Sequence, residues 1–127
     1  MGKRLKSYLI SIKQLSERIK NGDISPVDLV EVCVDRIKKF NPTIDAFISI
    51  NEKDALYKQA LMAETEIKRG KYLGPLHGIP FSIKDIFCVK GIRCTVGSKI
   101  LSKYIADADS TAVNRMKKAV GYSHWYK

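Results

Sequence analysis

The sequence has no long apolar run and little glycine or proline, and each shortage excludes a class of protein. No stretch approaches the roughly 18 apolar residues that a membrane-spanning helix requires, so we expect no membrane association. Eight glycines and four prolines are too few for a collagen-like or low-complexity chain. The basic start of the chain is followed by Ser11, Lys13 and Gln14, which interrupt any secretory apolar core. We therefore expect no export and a cytoplasmic protein.

Cysteine and histidine are also scarce. The cysteines, Cys33, Cys88 and Cys94, are odd in number and lack Cys-x-x-Cys spacing, which argues against a disulfide framework and a zinc site. Cys33 lies on the apolar face of a predicted helix and is expected in the core, whereas Cys88 and Cys94 could approach each other across a turn. His77 and His124 are far apart in the sequence. We expect a reduced protein with no metal and no other cofactor.

The charge is strongly positive, with 23 lysines and arginines against 13 acidic residues and a formal net charge of +10. Such an excess permits attraction to RNA or to acidic partners. However, the chain has no run of five like charges and no basic stripe interleaved with aromatic residues. The pattern therefore favours a lysine-rich solvated surface, and RNA remains the weaker alternative.

Length and periodicity indicate one domain of mixed class. Hydrophobic residues make up 45% of the 127 residues, an ordinary globular share. Apolar spacing predicts a first helix through Ile12, Leu15 and Ile19, which ends at Asn21-Gly22. It predicts a second helix that begins at Ser25-Pro26 and ends at Asn41-Pro42. The residues of this helix that are expected to face inward are Leu29, Cys33, Ile37 and Phe40. A third helix is predicted from about Glu52 to Arg69, and Gly70 is expected to cap its end. Its apolar side consists of Leu56, Ala60, Ala63 and Ile67. A fourth helix is predicted to begin at Asp109-Ser110, with an apolar stripe of Val113, Met116 and Val120.

Two short segments rich in β-branched and aromatic residues predict strands, at 44–50 and 79–87. The predicted order is α-α-β-α-β-α. We expect an α/β fold in which helices pack on a partial mixed sheet.

The second strand candidate holds an unusual lysine. Gly74-Pro75 and Gly78 form a loop that enters the strand, and alternation places Phe81, Ile83 and Asp85 on the side opposite to Ser82, Lys84 and Ile86. Lys84 is the single cation of this apolar stretch, and burial would favour its neutral form, which can accept a proton. Position alone favours the alternative, a lysine that extends to water or pairs with Asp85.

Residues 74–98 read GPLHGIPFSIKDIFCVKGIRCTVGS. This order of a glycine-proline turn, G-I-P, K-D and T-x-G-S resembles the lysine motif of the amidase signature family. Residues 24–50, ISPVDLVEVCVDRIKKFNPTIDAFISI, resemble the family's amino-terminal helices and first strand, and residues 107–119, DADSTAVNRMKKA, resemble the helix that follows the motif. The resemblance covers about residues 10–119. Within the family, the sequence resembles closely the glutamine-hydrolysing subunit of tRNA amidotransferases and nearly as closely the general amidases.

The resemblance implies a Ser-cisSer-Lys mechanism. A neutral lysine takes a proton from a serine in a cis peptide, and that serine activates the nucleophile, which attacks an amide and forms an acyl-enzyme. Only Lys84 can be carried over as catalytic. The residues expected to support the site are Gly78, Pro80, Asp85, Gly97 and Ser98, with Ser98 as a turn or helix-cap residue.

The chain has no glycine-serine loop of the family type, and its tail departs from the family pattern at Val120-Gly121 and over 122–127. We interpret residues 1–127 as one truncated amidase-type region that is inactive alone, since the members of such a triad act as a unit. A frameshift or a deliberate fragment would account for the tail. Without covering strands, Lys84 would be more solvated, and exposed apolar neighbours would favour a homo-oligomer.

Three functional hypotheses follow. The chain is part of an amide hydrolase or of an amidotransferase component that has partner subunits. Alternatively, it is a non-catalytic basic module that binds RNA or partner proteins. In the third hypothesis it is one half of a split amidase, and a second polypeptide supplies the serine loop.

Overall fold

The computed structural model describes residues 10–50 and 52–121, and these residues form four helices. They are α1 (Ile12–Lys20), α2 (Pro26–Ile44), α3 (Lys53–Lys68) and α4 (Thr111–Val120). A long segment of turns and irregular structure connects α3 to α4. The predicted departure of the tail over 122–127 lies outside the described residues.

The helix starts follow from their capping residues. At α1, Ser11 and Gln14 form a capping box, and Ser25 caps α2 by accepting a hydrogen bond from the Val27 N–H at 3.0 Å, with Pro26 in the first turn. Ser110 caps α4, as the sequence predicts. The capping serines thus fix where these helices begin.

Ser25 also connects two helices. Its hydroxyl donates to Glu64 Oε2 on α3 at 3.2 Å. Asp28 lies in the first turn of α2, in the place of a capping-box acid. The carboxylate that Ser25 contacts belongs to α3, so the cap is also a tertiary contact.

The predicted end of α2 at Asn41-Pro42 is wrong, because the helix runs on to Ile44 with Pro42 inside it. Proline this close to a helix end removes only one backbone hydrogen bond. The end is closed by Asp45, which has a left-handed backbone (φ +47°) and donates its N–H to the Asn41 carbonyl at 2.8 Å. The Asn41 side chain then bonds both backbone groups of Phe47.

The expected mixed sheet is not formed by the described residues. They contain no strand, and the regular pairing between distant segments is limited to one isolated antiparallel bridge between Arg93 and Ile105. The strand candidate at 44–50 is taken up in part by α2 and is irregular beyond it. A strand requires a neighbouring strand for its hydrogen bonds, and the described chain offers none to either candidate.

The main core lies between α2 and α3. Its fully enclosed members come from α2 (Val30, Val34), α3 (Leu56, Ala60, Ala63) and α4 (Val120). The two alanines leave room for close approach of the helices. The prediction for α3 is confirmed at Leu56, Ala60 and Ala63, whereas Ile67 is half-buried against a second cluster around Leu15, Ile19, Ile24, Leu29 and Ile79.

The predicted inner face of α2 is wrong at its end. Phe40 is 41% exposed, and Cys33 and Ile37 are only half-buried. The buried stripe instead passes through Val30 and Val34, one position further round the helix. Arg36 lies over the Phe40 ring at 5.2 Å. The stripe of Val30 and Val34 packs against α3, and the sequence of α2 alone does not show on which side α3 packs.

His77 is buried where α3, the following loop and α4 meet. Its Nδ1 accepts the Leu73 N–H at 3.2 Å, which assigns the ring hydrogen to Nε2. Nε2 lies 3.3 Å from Glu66 Oε2 without a well-directed hydrogen bond. Burial lowers the pKa of His77, and the Glu66 carboxylate opposes this effect only in part. The folded chain therefore favours the neutral imidazole.

We expect the chain to lose stability as the pH falls below about 6.5, the ordinary histidine pKa. The unfolded chain binds a proton at His77 there, whereas the folded chain does so only at lower pH. The free energy of unfolding should fall by up to about 1.4 kcal/mol per pH unit within that window. Urea unfolding between pH 7.5 and 5.0 measures it.

His77→Asn is the matched control, because the asparagine oxygen can keep the Leu73 N–H partner without titrating. His124 is present in both proteins, so its contribution cancels. An equal pH dependence in the two proteins would exclude His77 as the source.

Candidate functional site

The candidate site is built on residues 79–86, named here the Lys84 segment. Along it, Ile79, Ile83 and Asp85 are buried and Phe81 is half-buried, while Ser82, Lys84 and Ile86 are exposed. The predicted alternation of sides is confirmed even though no strand forms. Ile83 packs with Val113 of α4 and with Val89 of the loop that follows the segment, so the inner side of the segment is buried in a hydrophobic cluster.

The structure places the Lys84 side chain in solvent. This exposure agrees with the expectation that Lys84 is more solvated without covering strands, and the burial that would favour a neutral amine is not formed by the described residues. The buried apolar side chains of the segment, Ile79 and Ile83, pack on its opposite side, and Ile86 on the lysine side is itself exposed. The alternative in which Lys84 extends to water describes the observed position. Burial of this amine would require polypeptide beyond the described residues.

Asp85 connects the Lys84 segment to a turn ten residues later. Its side chain is 9% exposed and accepts two hydrogen bonds from Thr95, one from the backbone N–H at 3.0 Å and one from the hydroxyl. The Val96 N–H donates to the Asp85 carbonyl at 3.0 Å. We call this set of contacts the Asp85–Thr95 clamp. It holds the backbone next to Lys84 in place.

The turn held by the clamp is formed by residues 95–98. Ser98 donates its N–H to the Thr95 carbonyl at 2.8 Å, and the Gly97 N–H reaches the Thr95 hydroxyl at 3.3 Å. Val96 has φ +52° and Gly97 φ +68°. A β-branched residue with positive φ is strained, so the clamp and the turn hold an unfavourable backbone. Ser98 is a turn residue, and the cap of α4 is Ser110.

Gly78 and Pro80 lie at the other end of the segment. Gly78 is buried with φ +82°, and its N–H donates to the Val120 carbonyl at 3.2 Å. A Cβ atom at Gly78 would lie 2.8 Å from Pro26 Cγ. Only glycine permits this approach of the segment to the start of α2.

Pro80, Phe81 and Ser82 form one wall of an open groove of about 260 Å³, which faces α2. The opposite wall contains Cys33 and Arg36, together with Ile37 and Phe47. Burial raises the pKa of the Cys33 thiol, and the Arg36 charge opposes this effect. The prediction of Cys33 as a core residue is thus only partly right. Lys84 does not line this groove.

The described residues offer no metal centre, since no group of three or more His, Cys, Asp or Glu side chains is placed to hold an ion within 10–50 and 52–121. Nor does this part of the chain contain a helix with the length and apolar character needed to cross a membrane.

Comparison with known proteins identifies the origin of this arrangement. A model of the family described as Amidase matches residues 28–122, which include the Lys84 segment, the clamp and α4. The chain belongs to the amidase family. The resemblance found in the sequence motifs is thereby confirmed.

Among the curated relatives of this amidase-family chain are the A subunits of glutamyl-tRNA(Gln) amidotransferases. The protein from Endomicrobium trichonymphae is 38% identical over 108 residues, and that from Coxiella burnetii is 42% identical over 109 residues. These alignments cover 85% and 86% of this chain but only 22% of each relative. The chain therefore spans less than a quarter of the length of these curated relatives.

Solved amidases share the fold. The native peptide amidase of Stenotrophomonas maltophilia superposes with a TM-score of 0.81 at 26% identity, over 95% of this chain and 24% of the amidase. A fatty acid amide hydrolase superposes with a TM-score of 0.85 at 21% identity, over 99% of this chain and 22% of that enzyme, which concerns the fold alone. The path of this chain is thus that of an amidase, although its described residues form no sheet.

Two residues that shape the site of this amidase-family chain, Thr95 and Pro26, have contacts there that no local pattern predicts. Thr95 is part of the T-x-G-S motif, yet the motif does not predict its bonds to Asp85, which the resemblance implies only as a supporting residue. Pro26 was assigned only to a helix start, although it also packs on Gly78. A threonine next to a strained turn and a glycine within a motif loop carry no local signal of their distant partners.

We expect Gly78→Ala to destabilise the chain more than Gly91→Ala. Both glycines have positive φ, +82° and +79°, so both substitutions cost about 1–2 kcal/mol of backbone strain. The new methyl group at position 78 also collides with Pro26, while nothing lies within 4 Å at position 91. Overpacking adds about 1–3 kcal/mol. Thermal or urea unfolding of both variants measures the difference, and equal losses would contradict the close approach.

We expect Asp85 and Thr95 to be coupled energetically. Asp85→Ala and Thr95→Val each remove part of the clamp, so the double variant should lose about 0.5–3 kcal/mol less than the sum of the single losses. Urea unfolding of the four proteins measures this coupling. Additive losses would show that the contact contributes no stability.

Proposed function

We propose that this chain provides the lysine part of an amidase-family active site, in which Lys84 is the proton acceptor for a serine nucleophile. The supporting observation is the position of Lys84 on the open side of a segment whose other side is fixed by the core and the clamp. Such a segment holds its backbone still while leaving the amine accessible to a partner group. This arrangement suits a base that is completed by further polypeptide.

In this proposal the solvated amine is the resting form and not the working form. An ammonium group in water cannot accept a proton. Covering the open side of the Lys84 segment would remove water and disfavour the charged form. The neutral amine could then take a proton from a serine hydroxyl in a cis peptide, and that serine would activate the nucleophile.

The reaction would then be the cleavage of an amide. The nucleophilic serine attacks the carbonyl carbon, the C–N bond breaks, and ammonia or an amine leaves with the proton returned from the lysine. Water hydrolyses the resulting acyl-enzyme. Within the 127 residues no glycine-serine loop supplies the two serines. We therefore expect the isolated chain to be inactive, because the members of such a triad act as a unit.

The names of the curated relatives support a particular substrate. Since these relatives are components of glutamyl-tRNA(Gln) amidotransferases, we propose glutamine as the amide and the other amidotransferase components as partners. A general amidase acting on other amides is the second candidate, supported by the superposition on the peptide amidase. The cytoplasm stays the expected location.

A split amidase is a further form of the same proposal. Ile86 is 51% exposed and Phe87 39% exposed beside Lys84. Apolar side chains in this position favour contact with additional polypeptide, either a complementary chain or a second copy in a homo-oligomer.

The net charge of +10 supports a non-catalytic RNA-binding module as an alternative. RNA retention that falls steeply with salt would favour that alternative.

The test is complementation. The chain is coexpressed with the part of the Coxiella burnetii relative that lies outside the aligned region, and complex formation is measured by size-exclusion chromatography. We expect ammonia release from glutamine by the complex and none from the isolated chain. Lys84→Ala should reduce release by about 10³-fold or more. Lys84→Arg should be equally inactive, since a guanidinium does not give up its proton.

Lys103→Ala is the matched control, because Lys103 is another exposed lysine outside the Lys84 segment. It should leave ammonia release unchanged. Full activity of the Lys84→Ala complex would contradict the role of Lys84. A complex that assembles without releasing ammonia from glutamine or from simple amides would contradict the amidase proposal.

A further inference from the structure

Two cysteines that the proposed function does not use lie side by side next to the clamp. The Cys88 and Cys94 sulfur atoms are 3.7 Å apart, and both residues are present as thiols. Cys94 is fully buried, whereas Cys88 is half-buried. The two sulfurs are therefore adjacent, with Cys88 the more accessible of the pair.

The fold, and not chance contact of side chains, brings the two sulfurs together. The Cys88 carbonyl accepts the Ser110 N–H at 2.9 Å, and the Cys94 N–H donates to the Tyr104 carbonyl at 2.9 Å. The turn between them is closed by the Ile92 N–H, which donates to the Val89 carbonyl at 3.0 Å. Both backbones are thus fixed to distant parts of the chain.

We propose that Cys88 and Cys94 form a reversible dithiol–disulfide pair that is oxidised by small-molecule disulfides of the glutathione type. The sulfurs need to approach from 3.7 Å to about 2.05 Å. Rotation of the less enclosed Cys88 side chain provides this movement. Closure would produce a small ring over residues 88–94.

The exchange proceeds in two balanced steps. The Cys88 thiol loses its proton, and the thiolate attacks one sulfur of the oxidant, forming a mixed disulfide and expelling one small thiolate. The Cys94 thiol then loses its proton, attacks the Cys88 sulfur and expels the second thiolate. The two cysteines are oxidised by two electrons, and the small disulfide is reduced to two thiols.

The ring would act directly on the candidate site. Asp85 precedes Cys88 by three positions, and Thr95 follows Cys94 directly. A bond between the two sulfurs would join the chain on both sides of the turn and so restrict separation of the Asp85–Thr95 clamp. The disulfide form should hold the Lys84 segment more rigidly than the dithiol form.

The test uses the full reduced chain in mixtures of oxidised and reduced glutathione, quenched with acid, alkylated and digested with trypsin. Oxidation should remove two hydrogens, about 2 Da, from the intact chain. We expect a cross-linked pair of peptides, DIFCVK (residues 85–90) and CTVGSK (residues 94–99), that separates on reduction. The Cys33 peptide, residues 21–36, should remain alkylated.

Cys33→Ser is the matched control and should retain the cross-link, whereas Cys88→Ser should abolish it. Because the buried Cys94 tolerates change less well, Cys94→Ala serves as a second variant, with folding checked by circular dichroism. In the native chain the pair should oxidise at a ratio of the oxidised glutathione concentration to the square of the reduced glutathione concentration about tenfold or more below that needed in urea, since the fold holds the thiols together.

Three results would overturn the proposal. The first is equal oxidation in urea and in native buffer, which would show that the fold contributes nothing. The second is a cross-link that involves Cys33. The third is a native chain in which Cys88 and Cys94 both remain thiols in a large excess of oxidised glutathione.

Discussion

The packing of α2 against α3 is the contact on which the rest of this structure depends. The described residues have no sheet to organise the helices, so the apolar stripe of α2 finds its partner directly on α3, where small residues allow close approach. Ser25 strengthens the same interface with a hydrogen bond to Glu64. The last turn of α4 adds Val120 to this core, and the Gly78 N–H reaches the Val120 carbonyl. The position of the candidate site therefore follows from the helix pair.

The Lys84 segment has one constrained side and one open side, and this asymmetry defines what the chain can do. Ile83 and Asp85 fix the inner side through the core and through Thr95. The outer side presents an exposed lysine next to exposed apolar side chains. In the role proposed for it, this lysine would need a covering layer, because desolvation disfavours the charged form of an amine.

The open side of the Lys84 segment belongs to a chain of the amidase family that spans less than a quarter of the length of its curated relatives. The chain superposes closely on solved amidases while spanning about a quarter of their length. Its own residues are sufficient for the helical core and for the clamp. They are insufficient to pair the predicted strands or to cover the amine, since both require neighbours that the described chain does not provide.

Local sequence determined the helix starts, the α3 boundaries and the alternation of the Lys84 segment, because capping residues, positive-φ glycines and apolar periodicity act over a few residues. The order of short motifs was sufficient to recognise the family. Tertiary structure alone decided that the buried stripe of α2 passes through Val30 and Val34 and that Phe40 faces solvent. It also decided the partners of Asp85, whereas the approach of Cys88 and Cys94 across a turn, which the sequence allows, is confirmed by their sulfur atoms 3.7 Å apart. These features depend on which distant segment lies opposite each residue, and no pattern within a single segment contains that information.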